Sequence, residues 1–129
     1  MLVVDASAAV ELLLDTPRGR RVSQHLLGQS LIAPELLDVE VTSALARLQR
    51  GQQLTAAEAD RLMNDLLALP VQRIPHRLLT AAAWQLRARV SVADAFYAAC
   101  AAVMAGQLLT CDWRLARSAL PGLTISLVQ

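Results

Sequence analysis

The sequence predicts an α/β fold: a single domain over residues 1–129, built on a mainly parallel sheet with helices on both faces. The sheet is expected to hold about four to five strands. Three observations carry this prediction. Short apolar runs alternate with longer helical patterns along the whole chain. No linker, repeat or low-complexity segment interrupts them. Two of the runs, Met1 to Val4 and Leu108 to Cys111, stop abruptly at an acid, Asp5 and Asp112. In an open parallel sheet, ligands bind in the crevice beyond the carboxyl ends of the strands, so both acids are delivered to the usual functional edge.

Taken in order, strands are expected at 2–4, 31–33, 71–74, 108–111 and 124–127. Ala6–Leu14 is an apolar, Ala-rich helix. Thr16 followed by Pro17 reads as an N-cap and a first helical position, opening a helix to about Leu27. Glu35–Arg50 is helical and stops before Gly51. Thr55 and Glu58 form a capping box that opens a helix to about Leu67. Arg77–Arg89 and Val92–Ala105 are two further helices.

Composition narrows the chemistry. Hydrophobic residues make up 55% of the 129 residues and aromatic ones only 3%, so the core is built of Leu, Ala and Val. Charged residues are 18%, low enough to suggest a partner surface, expected on the early helices around Leu12–Leu27 and Leu45–Leu69. A net charge of +1 gives no strong global field. All 12 basic residues are Arg, which excludes a Walker A loop, a Schiff base and phosphohydrolases that use a lysine. Cys100 and Cys111 form no C-x-x-C pair and read as small hydrophobes. The start MLVVDAS lacks the basic stretch of an export signal, and the longest apolar run, Ala95 to Gly106, is too short to span a bilayer. A cytoplasmic protein is expected.

Two more acids stand out by position. On the helix after Glu35, Leu36, Leu37, Val41, Ala44 and Leu48 form an apolar stripe at about 100° per residue. Glu40 falls in that stripe, while Glu35 and Asp38 fall roughly opposite. Asp94 is the lone charge at the start of the apolar segment Val92–Ala105. Each acid also has a bland reading. Asp5, or Ser7, and Asp112 suit helix N-caps, and Ser91 with Asp94 resembles a capping box. Glu40 has the weakest such alternative. If Asp5, Glu40, Asp94 and Asp112 converge, electrostatics demands a cation: two carboxylates ~4 Å apart repel by about 4 kcal/mol at an effective dielectric near 20. Hard divalent ions with oxygen ligands relieve this repulsion. Ser7 and Thr110 are placed to assist, since Thr110 shares a strand face with Asp112. His25 and His76 lack ligand spacing, Trp84 and Trp113 read as core or interface residues in preference to base-stacking platforms, and the Arg clusters 18/20/21, 47/50, 87/89 and 114/117 read as solvated faces, some of which must carry the phosphate contacts if the substrate is a nucleic acid.

The segments VVDASAAVELLL, LLDVEVTSALARL, SVADAFYAACA and LLTCDWRLA together resemble the PIN domain, and most closely the VapC-type toxins of toxin–antitoxin pairs. The resemblance spans the whole chain. It implies a Mg²⁺- or Mn²⁺-dependent endoribonuclease in which Asp5, Glu40, Asp94 and Asp112 are the successive acids, holding one or two ions directly or through water. Ser7 and Thr110 match the small hydroxyls beside the first and last acids. Water activated by the metal would cleave the phosphodiester, leaving a 5′-phosphate and a 3′-hydroxyl. Relatives often carry an aromatic before the third acid, where this chain has Ala93. The resemblance further implies a homodimer and a small antitoxin that covers the acidic site. Two rivals remain open: a catalytically silent module that only binds a partner, and a phosphohydrolase working through an aspartyl-phosphate on Asp5. The second lacks both an Asp-x-Asp motif and a lysine.

Overall fold

The computed structural model describes residues 1–118 and 120–129. Five parallel strands form one sheet in the order β3-β2-β1-β4-β5. They are β1 (Leu2–Val4), β2 (Leu31–Pro34), β3 (Val71–Ile74), β4 (Gln107–Thr110) and β5 (Thr124–Leu127). Parallel strands need long crossovers, and helices supply them. The chain winds outward from β1 through β2 to β3, then returns across the sheet to place β4 on the other side of β1. The register sets Val3 between Ile32 and Leu108. Leu2, Val3, Val4, Leu108 and Leu109 are all buried, as expected of strands covered on both faces.

Local chemistry explains most helix starts. Helix α1 (Ala6–Leu14) is capped by Asp5, whose carboxylate accepts from the Ala8 N–H at 2.9 Å. Helix α2 (Pro17–Leu26) begins as the Thr16-Pro17 pair predicts, with Thr16 Oγ1 accepting from Gly19 N–H at 2.9 Å. Helix α4 (Ala56–Ala68) carries the complete Thr55/Glu58 capping box. Hydrogen bonds from Thr55 hold the Glu58 carboxyl below its ordinary range. Helix α3 (Leu36–Arg50) starts differently: Leu36 N–H donates to Nε2 of His76 at 2.8 Å, and Glu35 accepts from His76 N–H. His76 therefore ties the start of α3 to the end of β3.

That tie corrects one expectation. The predicted helix over 77–89 is a short 3₁₀ turn, His76–Leu78, followed by α5 (Thr80–Gln85) and turns. Local propensity favours one continuous helix, but fixing His76 against α3 and burying Leu79 at its end break the run. The expected helix over 92–105 is also subdivided. Helix α6 (Val92–Cys100) gives way to a wider π-helical turn, Ala101–Ala105. Ala101 stays buried, and Gly106, in the left-handed region at φ 79°, turns the chain into β4. A short helix α7 (Trp113–Arg117) follows Asp112.

Arg73 is a structural staple that the sequence did not flag. It donates twice to Asp38, at 2.9 and 3.2 Å, and also to the carbonyls of Leu66, Leu69 and Val71. It thereby adds a second donor to the Leu66 and Leu69 carbonyls at the end of α4, which already accept from the Leu69 and Val71 N–H groups. Arg73→Met is expected to destabilise the fold by about 2 kcal/mol, read as a lower urea midpoint with an unchanged slope.

Candidate active site

Pairing of β1 with β4 brings the two strand-ending acids to one edge. Asp5 N–H donates to the Leu109 carbonyl at 3.2 Å, extending the ladder past the last strand residue. Beyond it the side chains take over. Ser7 donates to Asp5 Oδ1 at 2.7 Å and accepts from the Cys111 N–H at 2.9 Å. Ser7 Oγ also lies 3.2 Å from Thr110 Oγ1, which accepts from the Asp112 N–H at 2.9 Å. Ser7 and Thr110 thus lock the end of β1 to the end of β4.

Asp5 is buried, with 4% exposure. Burial pushes its carboxyl up to about 6, against hydrogen bonds from Thr110, Ser7 and Ala8 that lower it, and the charge of Asp94 adds to the rise. The Asp94 carboxyl is raised as well, chiefly by desolvation; Ser91 lowers it and the charge of Asp112 raises it. Ser91 caps α6 by accepting from Asp94 N–H at 3.2 Å. Asp112 caps α7 by accepting from Arg114 N–H at 2.9 Å. Asp5 and Asp112 are therefore helix caps and also members of an acidic neighbourhood; the two readings coexist.

Glu40 joins from α3. Leu37, Val41 and Leu45 form the buried line of that helix, and half-buried Glu40 sits on its flank beside Ser43 and Ala44. Tyr97, on α6, links it to the rest. Among the described residues its buried hydroxyl has no hydrogen-bond partner. Burial first, then the negative charges of Glu40 and Asp5, hold that phenol far above its ordinary range.

A cavity of about 660 Å³ opens here, with Ser7, Glu40, Asp112, Arg18, Arg47 and Trp113 on its wall. Asp5 and Asp94 are not part of that wall. Among the described residues, no three His, Cys, Asp or Glu side chains gather closely enough to ring a metal ion by themselves. The donors are nonetheless all carboxylate and hydroxyl oxygens. That set suits a hard divalent ion held by one or two carboxylates with water in its remaining positions, which is how Mg²⁺ is commonly bound.

The structure places two of the arginines from the sequence clusters, Arg18 and Arg47, at this cavity. Arg47 lies seven residues after Glu40, two helical turns on, so the period that singled out Glu40 also places Arg47 over it. Trp84 and Trp113, expected in the core or an interface, are exposed at 61% and 54% and belong to no core. His25 is exposed and distant in role, and His76 is structural. A second, apolar cavity of about 310 Å³ lies among Leu12, Leu26, Leu27, Leu37 and Leu69. Among the described residues no helix is long and apolar enough to cross a membrane.

The sequence profile described as the PIN domain matches residues 2–120. The chain belongs to the PIN domain family. Within it, this PIN domain is 43% identical over 118 residues to Ribonuclease VapC12 of Mycobacterium tuberculosis, covering 92% of each chain. It is 42% identical over 118 residues to Ribonuclease VapC3 of the same organism, covering 91% of this chain and 86% of the relative. Ribonuclease VapC9 is 38% identical over 115 residues, covering 89% and 88%. This PIN domain therefore groups with VapC-type proteins, as its four segments suggested.

Proposed function

We propose that this chain is a divalent-metal-dependent endoribonuclease and the toxin of a toxin–antitoxin pair. Asp5, Asp94, Asp112 and Glu40 would hold Mg²⁺ or Mn²⁺, one or two ions, some of them through water. The observation that carries the reading is the buried Asp5 carboxyl, raised by burial and by a neighbouring acid at the end of the central strand. A cation relieves that arrangement, and among the described residues no basic side chain donates to Asp5 in its place. The names of the VapC relatives support RNA as the substrate.

Bound there, a divalent ion supplies an activated water and neutralises charge on the cleaved phosphate. The chain's own residues do the rest. Ser7 and Thr110 fix the strand ends, so that Asp5 keeps one carboxylate orientation. Arg18 and Arg47 line the cavity where phosphates must pass and can neutralise them by bidentate contacts. No histidine is placed to act as a base. A protein antitoxin, a homodimer and a cytoplasmic setting complete the reading; the apolar cavity among Leu12, Leu26, Leu27 and Leu69 supports a protein partner on the early helices.

The test combines a tube and a cell. Purified protein is expected to cleave single-stranded RNA in Mn²⁺ and to lose at least ~100-fold in rate in EDTA. Induced alone it should arrest growth, with rescue by the adjacent reading frame. Cleavage unchanged in EDTA overturns the metal reading. Absence of both cleavage and arrest favours the silent binding module.

A further inference from the structure

Aromatic residues are scarce in this chain: two Trp, one Tyr and one Phe. Tyr97 is buried, and Phe96 packs at a tilt on His76, with ring centroids 5.0 Å apart. Trp84 is covered at close range by its own neighbour, the Arg87 guanidinium at 4.1 Å, and the Arg87 side chain is hydrogen-bonded back to the Trp84 carbonyl at 2.7 Å. Trp113 differs from all three. It directly follows Asp112, lies on the wall of the acidic cavity and leaves 54% of its surface open. Its backbone is held by the Asp112 cap on one side and by buried Leu115 on the other. The Arg117 and Arg114 guanidiniums lie 5.4 and 5.8 Å from the ring centroid, a looser cation–π contact than the 4.1 Å of Arg87 on Trp84. Among the described residues neither arginine makes an ion pair.

What sets this indole apart is its place on the cavity wall, among the carboxylates Glu11, Glu40 and Asp112 and the guanidiniums of Arg18 and Arg47. A nucleobase suits it: every base offers a π-face, and its attached phosphates suit two arginines that hold no carboxylate. Single-stranded RNA presents such unstacked bases. We propose that Trp113 is a stacking platform for a nucleobase flanking the cleaved phosphate, with Arg114 and Arg117 meeting the adjoining backbone. This rests on the ribonuclease reading and extends it. Trp113 holds the substrate rather than acting on the reacting atoms, so it governs which single strands bind and how they sit.

The experiment uses the full chain carrying Trp84→Phe, which leaves Trp113 as the one tryptophan. A short single-stranded oligoribonucleotide of mixed sequence in Mn²⁺ is the probe. Rapid mixing should quench the indole fluorescence before any cleavage. In steady-state assays Trp113→Ala should raise KM about tenfold with kcat within about twofold, the pattern of lost substrate binding. Trp113→Phe should recover most of the affinity, whereas Trp113→Leu, which keeps apolar bulk without a π-face, should behave like the alanine variant. Thermal unfolding of each variant separates misfolding from lost binding. Cleavage with an unchanged KM in Trp113→Ala, or full recovery by leucine, overturns the stacking role while leaving the ribonuclease intact. A parent chain that neither cleaves nor quenches overturns both. Loss of capture of the co-expressed protein partner with RNA kinetics untouched reassigns Trp113 to that partner and overturns the proposal.

Discussion

Asp5→Asn is expected to lower RNA cleavage by at least ~100-fold while leaving the fold intact or firmer. The substitution is nearly isosteric. Asn is as good an N-cap as Asp, so the bond from Ala8 N–H survives. What disappears is a buried negative charge. In the metal-free folded chain that carboxyl titrates at about 6, against 3.8 for an ordinary Asp, so between those values the folded state holds a proton that the unfolded state has released. Stability from this group therefore falls as pH rises through that window, by about 3 kcal/mol in all. Wild-type protein stripped of metal should unfold at a lower temperature at pH 7.5 than at pH 5, and Mn²⁺ should restore it most at the higher pH. The asparagine variant should show neither this pH dependence nor the Mn²⁺ effect. Differential scanning calorimetry at two pH values, with and without Mn²⁺, reads both. A wild-type protein insensitive to Mn²⁺ at pH 7.5, or an active variant, would remove Asp5 from the site.

The second large effect is on folding. Gly19→Ala is expected to cost about 3 kcal/mol or more, seen as a large drop in thermal midpoint or as loss of soluble protein. Helix α2 crosses α1 at Gly19 so closely that an added Cβ would collide with the Glu11 carbonyl oxygen and stand 2.5 Å from its carbon. Those atoms are backbone and cannot swing aside. Gly19 also has an ordinary helical setting and donates to Thr16, so the need for glycine here is one of space and not of dihedral angle. Displacing α2 moves Arg18 away from the cavity and splits the apolar cavity wall formed by Leu12 and Leu26. Gly51→Ala, where the nearest atom lies at an ordinary 3.4 Å, is the matched control and should change stability little.

What was legible in the sequence follows from what is local. Strands with unbroken apolar character, and helices opened by Thr16-Pro17 or the Thr55/Glu58 box, carry their signal in adjacent residues. The segment from Arg77 to Arg89 misleads because its ending is imposed from elsewhere: His76 is held by the start of α3, and no local pattern announces that. Helical period alone puts Glu40 and Arg47 on one side of α3, the side that lines the cavity. The cavity wall at Trp113 was not legible, because an indole after a cap residue reads equally well as core, and only the position of β4 beside β1 leaves it in the open. The same limit applies to Arg73, whose two hydrogen bonds to Asp38 reach 35 residues back along the chain.

The placement of β4 beside β1 has a consequence in time as well as space. Asp5 is synthesised well before Asp112. Every element from α1 to the π-helical turn must be made before β4 can slot against β1. A nascent chain that has reached Gly106 already carries Asp5, Glu40 and Asp94 but lacks Thr110 and Asp112, and β1 still has one bare edge. Such a chain has no sealed junction between strand ends and no cavity wall at Trp113. Asp5 and Asp112 can therefore come to one edge only after β4 has been made and has paired with β1.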